Sequence, residues 1–165
     1  MLLKKSTLFI TCIFLALAAC KEKAKKAKSY YDSTLKHTTS VTDSILELAD
    51  VLRSGNKPAT KNFLNHHLNT IDSSQAHIHN LGSFEGDTSL NSATLALLQF
   101  YKNYLLNHIK PFYDSIPNDS LTREQIEIAD SLHRKMLDDE AEYWDNFNNS
   151  AKKFSDKYDL NSLQP

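Results

Sequence analysis

A chain of 165 residues with only 3 glycines lacks the positive-φ positions that tight hairpins need, so a meander of many short strands is excluded. Lysine plus arginine number 19 and aspartate plus glutamate 20, for a net charge of −1, so no basic excess points to nucleic acid. Beyond Ala19 there are two valines against seven isoleucines and eighteen leucines, a balance that favours helix over strand.

The chain opens on Met1-Leu2-Leu3-Lys4-Lys5 and runs apolar from Leu8 to Ala19. Two lysines and about a dozen apolar residues make a secretory signal, too short to span a bilayer as a helix. The run closes on Leu17-Ala18-Ala19-Cys20, an aliphatic residue and two small ones before a cysteine. This resembles the lipobox of bacterial lipoprotein precursors. The resemblance implies removal of residues 1–19 as a signal peptide and attachment of diacylglycerol to the Cys20 thiol. Membrane lipid is then the first partner, held by acyl chains that contribute about 0.8 kcal/mol per buried CH₂. By resemblance to lipoproteins sorted in enterobacteria, Lys21 in place of an aspartate after that cysteine implies the outer membrane. Cys12 falls in the discarded segment, so the processed chain has no free thiol for disulfides, thiolate catalysis or zinc–cysteine sites.

Residues 20–29 form the lipidated cysteine and a basic tether. Five lysines and one glutamate lie between Lys21 and Lys28. Such a stretch either hugs anionic headgroups, at about 1 kcal/mol per lysine near the surface, or serves as a solvated spacer.

Residues 30–160 carry four amphipathic segments. Tyr31, Leu35, Thr38, Thr42, Ile45, Ala49 and Leu52 step by four and three, one face of a helix that stops at Ser54-Gly55-Asn56. Pro58 opens the second helix, whose face is Leu64, Leu68, Ile71, Gln75, Ile78 and Leu81, ending at Gly82. Ser83-Phe84-Glu85-Gly86-Asp87 is a loop, and Asp87 or Thr88 caps the third helix. That helix carries Leu90, Ala93, Leu97, Phe100, Tyr101, Tyr104, Leu105 and Ile109, and Pro111 kinks or ends it near Lys110. Thr122-Arg123-Glu124-Gln125 is a capping box that starts the fourth helix. Its face runs from Ile126 through Ala129, His133, Met136, Glu140, Tyr143 and Phe147 to Tyr158, about 50 Å of continuous helix. Residues 161–165 read as a frayed tail. The fold class expected is all-α, an up-down-up-down four-helix bundle behind a cleaved lipoprotein signal peptide.

Seven histidines invite a metal reading, but their spacing does not support it. His66 and His77 share a helix face yet stand about 16 Å apart along the axis. Asp130-x-x-His133 has the spacing used in carboxylate-bridged metal bundles, which need the motif twice, and here it occurs once. No Gly-x-Ser-x-Gly, glycine-rich phosphate loop or His-Glu-x-x-His is present. The expectation is therefore no catalytic residue, no metal and no cofactor. Glu140 is the one acid that falls on an apolar helix face, either buried or at the rim.

Aromatic density is the more informative feature. Phe100, Tyr101 and Tyr104 span more than one helix face, and so do Tyr143 and Trp144. One outcome is a thick aromatic core with hydroxyls at its rim. The other is a partner surface, with Phe84, Tyr101, Tyr113 and Trp144 as its anchors.

Two stretches resemble known groups. Leu121-Thr122-Arg123-Glu124-Gln125 is similar to the Leu-Thr-x-x-Gln signature of small helical periplasmic chaperones and envelope-stress adaptors, a group that carries it twice and has no lipid anchor. The lipobox together with Phe84-Glu85-Gly86-Asp87-Thr88-Ser89-Leu90, Ala93 and Leu98-Gln99-Phe100-Tyr101-Lys102 is similar to uncharacterised small helical surface lipoproteins of Gram-negative bacteria. The function expected is a membrane-anchored envelope lipoprotein, lipid-anchored at the outer membrane and facing the periplasm or the cell surface. It would act as a non-catalytic binding or docking module for an envelope protein or ligand. A chaperone-like or stress-sensing protein is the alternative.

Overall fold

The structure is a computed structural model that describes the backbone of residues 3–163 and the side chains of residues 21–161. The expected signal peptide over 1–19 and the lipidation site Cys20 lie outside the described side chains. Among the described residues every helix-or-strand element is a helix. It comprises α1 (Leu3–Arg53), α2 (Lys57–Leu81), α3 (Ser89–Tyr104), a π turn (Leu105–Ile109), α4 (Lys110–Ser115), α5 (Arg123–Asp139), α6 (Ala141–Lys157) and a 3₁₀ turn (Leu160–Leu163).

The helix ends follow local chemistry. Asn56 accepts a 2.9 Å bond from the Ala59 N–H at the start of α2, with Pro58 in the first turn. Thr122 and Gln125 form the reciprocal capping box at the start of α5, at 3.3 Å and 2.8 Å. Asp87 accepts from the Ser89 N–H at 3.1 Å and its hydroxyl at 2.7 Å, beside the start of α3. Gly55 has φ +65°, and its carbonyl accepts from the Leu121 N–H at 2.9 Å, joining the α1–α2 turn to the segment before α5.

Pro111 does not end the third helical segment. It lacks an N–H and its ring crowds the carbonyl one turn back. The chain answers with the π turn immediately before it, where the Lys110 N–H reaches the Leu105 carbonyl five residues back. Helix then resumes as α4, and Tyr113 is buried on it.

The long fourth helix is interrupted at Glu140 (φ −75°, ψ −18°), which separates α5 from α6. The Glu140 N–H still reaches the Met136 carbonyl and the Trp144 N–H the Glu140 carbonyl, each at 3.0 Å. The break is therefore local, and it divides the labour: α5 packs on α1, and α6 on α3.

One core joins all the helices, with Leu48, Ile71, Leu97, Leu105, Met136 and Phe154 almost fully excluded from solvent. Full burial of a side chain of this size is worth about 1.5–3 kcal/mol. The buried stripe on α1 starts earlier than its apolar pattern suggested. Ala27 is 0% exposed, while Lys21, Lys23, Lys25 and Lys26 around it are exposed. Tyr30 and Thr34 are buried where Tyr31 and Leu35 were expected, and these two are half-buried. Threonine can take a core position because its hydroxyl bonds back along the helix: Thr34 to the Tyr30 carbonyl and Thr38 to the Thr34 carbonyl, each at 3.0 Å. On α2, Thr60, His67 and Ser74 likewise lie inward, while Leu68 and Gln75 are half-buried.

Candidate functional site

The four aromatic residues expected to form one partner surface lie in three separate places. Phe84 is half-buried at the end of the molecule nearest Cys20 in sequence, Tyr101 and Trp144 lie between α3 and α6, and Tyr113 is on α4. Two of the four cannot present a surface, since Tyr101 is 1% exposed and Tyr113 2%. Their hydroxyls have found partners inside, which removes the usual reason for a tyrosine to stay at the rim.

Tyr101 donates a 2.6 Å hydrogen bond to Glu140 and accepts one of 3.1 Å from the Trp144 indole N–H. Burial raises the Tyr101 phenol far above its ordinary range, and the neighbouring Glu140 carboxylate adds to the rise. Glu140 is half-buried. Burial pushes its carboxyl up, and the Tyr101 hydrogen bond pulls it partly back. This network lies where the helix is interrupted, so the break at Glu140 and the inward turn of its carboxylate belong together. The sequence signal for it was an acid on an apolar face. Tyr113 donates over 3.4 Å to the Leu52 carbonyl at the end of α1, and burial lifts its phenol to about 12.

The candidate contact site lies at the end where α1 enters the domain. The Phe84 ring meets Tyr30 at 5.5 Å, Phe154 at 5.7 Å and Tyr158 at 5.0 Å between centroids. These rings come from α1, the α2–α3 connection and the end of α6. A two-residue turn delivers Phe84. Phe84 and Asp87 exchange backbone hydrogen bonds of 3.2 Å and 2.9 Å, and Glu85 and Gly86 between them have φ +50° and +81°. Positive φ at both central positions is the conformation that a tight two-residue turn demands, and glycine supplies one of them without strain.

Charges ring this aromatic cluster. Lys23 pairs with Glu85, and Lys157 with Asp87 at 2.6 Å. Both lysines also stand over the Tyr158 ring, at 5.5 Å and 5.2 Å. Hydrogen bonds from Lys157 and Ser89 hold the Asp87 carboxyl down at about 2. Beneath the turn, Tyr30 donates to the Gly82 carbonyl at 2.7 Å, and the Asn91 amide to the Ile78 and Gly82 carbonyls at 2.8 Å and 2.6 Å. These bonds cap the carbonyl end of α2 and fix the turn against α1. An open groove of about 310 Å³ runs along this end, lined by Glu22, Lys23, Lys26, Phe84 and Glu85. Of this cluster the sequence pointed only to Phe84, in a loop. Asp87 comes with it in the same turn, and Tyr30, Lys157 and Tyr158 are brought to it by the tertiary fold.

Among the described residues, no group of three or more His, Cys, Asp and Glu side chains could hold a metal ion. Among them no helix is long and apolar enough to cross a membrane. No protein-family model matches the chain, and neither a curated protein nor a solved structure matches it.

Proposed function

We propose that this chain is a membrane-anchored envelope lipoprotein whose folded part, an up-down-up-down helical bundle, acts as a non-catalytic docking module. Leu17-Ala18-Ala19-Cys20 carries the reading, because its spacing and residue sizes suit lipidation at Cys20. The way α1 continues from this segment into the core supports it. Ala27 is buried seven residues beyond Cys20, so the anchor is coupled to the fold by helix rather than by a slack linker. Lys21 and Lys25 are exposed beside the anchor, where an anionic surface would attract each by about 1 kcal/mol. The face offered to a partner is the groove at Phe84, with Lys23, Lys26 and Glu85 as its polar rim. A half-buried aromatic ring ringed by charge is the composition of a small contact site.

A chaperone-like reading would draw on a broad exposed aromatic surface, and burial of Tyr101 and Tyr113 takes away half of the expected one. The Thr122–Gln125 match is accounted for by the helix cap.

The test combines two changes in the full chain. Cys20→Ala should abolish fatty-acid labelling and release the protein from the membrane fraction. A photoreactive residue at position 84 should give a discrete envelope adduct in the acylated protein and none at exposed position 127, far from the groove. Labelling that persists without Cys20 refutes the anchor. Equal adducts at both positions, or none at 84, refute the contact face.

A further inference from the structure

Three imidazole–hydroxyl pairs cross the interface between α1 and α2. Ser33 Oγ shares a 2.9 Å hydrogen bond with His77 Nε2, and Ser74 Oγ one of 3.4 Å with His37 Nδ1. Ser44 Oγ is bonded to His67 Nδ1. In antiparallel order, Ser33, His37 and Ser44 of α1 oppose His77, Ser74 and His67 of α2. The half-buried rings of His37 and His77 stack, with centroids 4.0 Å apart and planes inclined by 23°. His67 is 0% exposed and lies parallel to Phe63 at 5.8 Å.

We propose that this strip is an acid-operated release, in which proton uptake by His67 and by His37, stacked on His77, opens α1 from α2 while α3 and α6 stay together. In the neutral strip each bonded ring nitrogen has a serine hydroxyl that donates or accepts according to the imidazole tautomer. The His67 cation carries an N–H on both ring nitrogens, and the one on Nε2 is buried with no acceptor among the described residues. The His77 ring, stacked 4.0 Å away, disfavours a charge on His37 at the interface that the two rings now hold. Burial already holds His37 below its ordinary value and His67 down at about 4.

The surrounding charges do not supply a compensating anion. Lys36 of α1 and the His77 ring act on His37, and His66 of α2 on His67, all in the direction that disfavours the cation. From α3, Lys102 reaches Asp72 of α2 and is neutralised there at 2.6 Å. From α4, Lys110 is paired with Asp114 of the same helix. On the other side of α1, His133 of α5 bonds the Ile45 carbonyl and faces Arg53 and Asp130, which pair with each other. From α6, Phe154 brings an uncharged ring to Tyr31 of α1. The α3 and α6 sequences contain no histidine, and the Glu140 carboxyl at their contact is pushed up by burial, so acid favours its folded, neutral form instead of loosening that interface.

The experiment is amide hydrogen exchange on the full acylated chain in neutral detergent at pH 7.5 and 5.0, corrected for intrinsic exchange. A group at about 4 when folded and 6.5 when exposed favours the open form by about 30-fold at pH 5.0. Residues 33–48 and 64–78 should therefore gain about that factor, with residues 90–104 and 143–156 changed by less than about threefold. Replacing His37 and His67 by Asn and His77 by Gln keeps an acceptor or donor near each bonded nitrogen and removes the charge. This variant should lose the acceleration, while His66→Gln and His79→Gln, at exposed rings, should keep it. If the triple variant does not fold, His67→Asn alone decides, by lowering the acceleration at least threefold. Uniform acceleration, none at all, or acceleration indifferent to these histidines overturns the proposal. The outcome does not depend on lipidation of Cys20, so it stands or falls separately from the envelope function.

Discussion

Replacing Tyr101 by Phe removes one oxygen from the contact between α3 and α6, and the consequences are calculable. The lost hydroxyl donates 2.6 Å to Glu140 and accepts 3.1 Å from Trp144. A hydrogen bond to a charged partner contributes about 1.5–3 kcal/mol, and Glu140 is half-exposed, so the lower end applies here. Water can reach part of the freed Trp144 edge, which adds only about 0.5 kcal/mol. The sum is about 2 kcal/mol, or a fall in melting temperature of about 4–8 °C for a domain of this size. The cost should depend on pH in a defined direction. Burial raises the Glu140 carboxyl, so the folded state favours its neutral form, and stability from this group is lost as pH rises through the folded value. Tyr101 offsets part of that loss, and without its hydroxyl the carboxyl rises further. Urea titrations should find Tyr101→Phe costing most near pH 7 and less below pH 4.5. In a Glu140→Gln background the same substitution should cost about 1 kcal/mol, because only a neutral hydrogen bond is lost. A cost under about 0.5 kcal/mol at pH 7, or one equal at both pH values, would refute the account of this network.

Two further substitutions probe the turns and the charged rim. Gly55→Ala meets both a positive φ and the Ile126 Cδ1 at 3.1 Å, whereas Gly86→Ala meets a positive φ and open space. Chemical denaturation should give about 1 kcal/mol for Gly86→Ala and more for Gly55→Ala, and the reverse order would contradict the packing at the α1–α2 turn. Asp87, held at about 2, contributes stability that is present above its ordinary value and lost as pH falls. Acid titration of Asp87→Asn should therefore be flatter between pH 4 and 2 than that of the parent chain.

The helical class and the helix ends were legible in the sequence because they depend on neighbours in the chain. Gly55, Pro58 and the Thr122–Gln125 box each act within one turn of helix, and each holds the position that its chemistry predicts. The inward face of α1 and α2 was harder to read, since an apolar period assumes that the core is apolar. Thr34 and Thr38 hide their hydroxyls on their own helix, and His67 bonds a serine one helix away. The first device is local but is invisible to hydropathy, and the second exists only once the helices are paired. The interruption at Glu140 was missed for a related reason. An acid on an apolar stripe reads as a defect until Tyr101 and Trp144, from two different helices, arrive to receive it. The same arrival withdraws Tyr101 from the surface.

The two halves of the core are built on different terms. Between α3 and α6, apart from the Tyr101–Glu140–Trp144 bonds, the contacts are large rings such as the 4.6 Å stack of Phe100 on Tyr143. Burial of that kind is insensitive to pH and non-directional. Between α1 and α2 the polar contacts are made by three imidazoles on serine hydroxyls, and burial disfavours a charge on two of them, His37 and His67. An apolar strip of the same shape would be the more stable choice, since a buried polar pair rarely gains over well-packed carbon. The polar strip therefore trades stability for a condition, and it does so on the helix that continues from the lipidation motif. α1 also packs on α3, α5 and α6, so loosening its contact with α2 need not unfold the domain. It would change how firmly α1 is held against α2, and with it the setting of the aromatic cluster that Tyr30 shares with Phe84. The conditional contact and the candidate docking face thus meet on one helix, within a turn of each other at Tyr30 and Ser33.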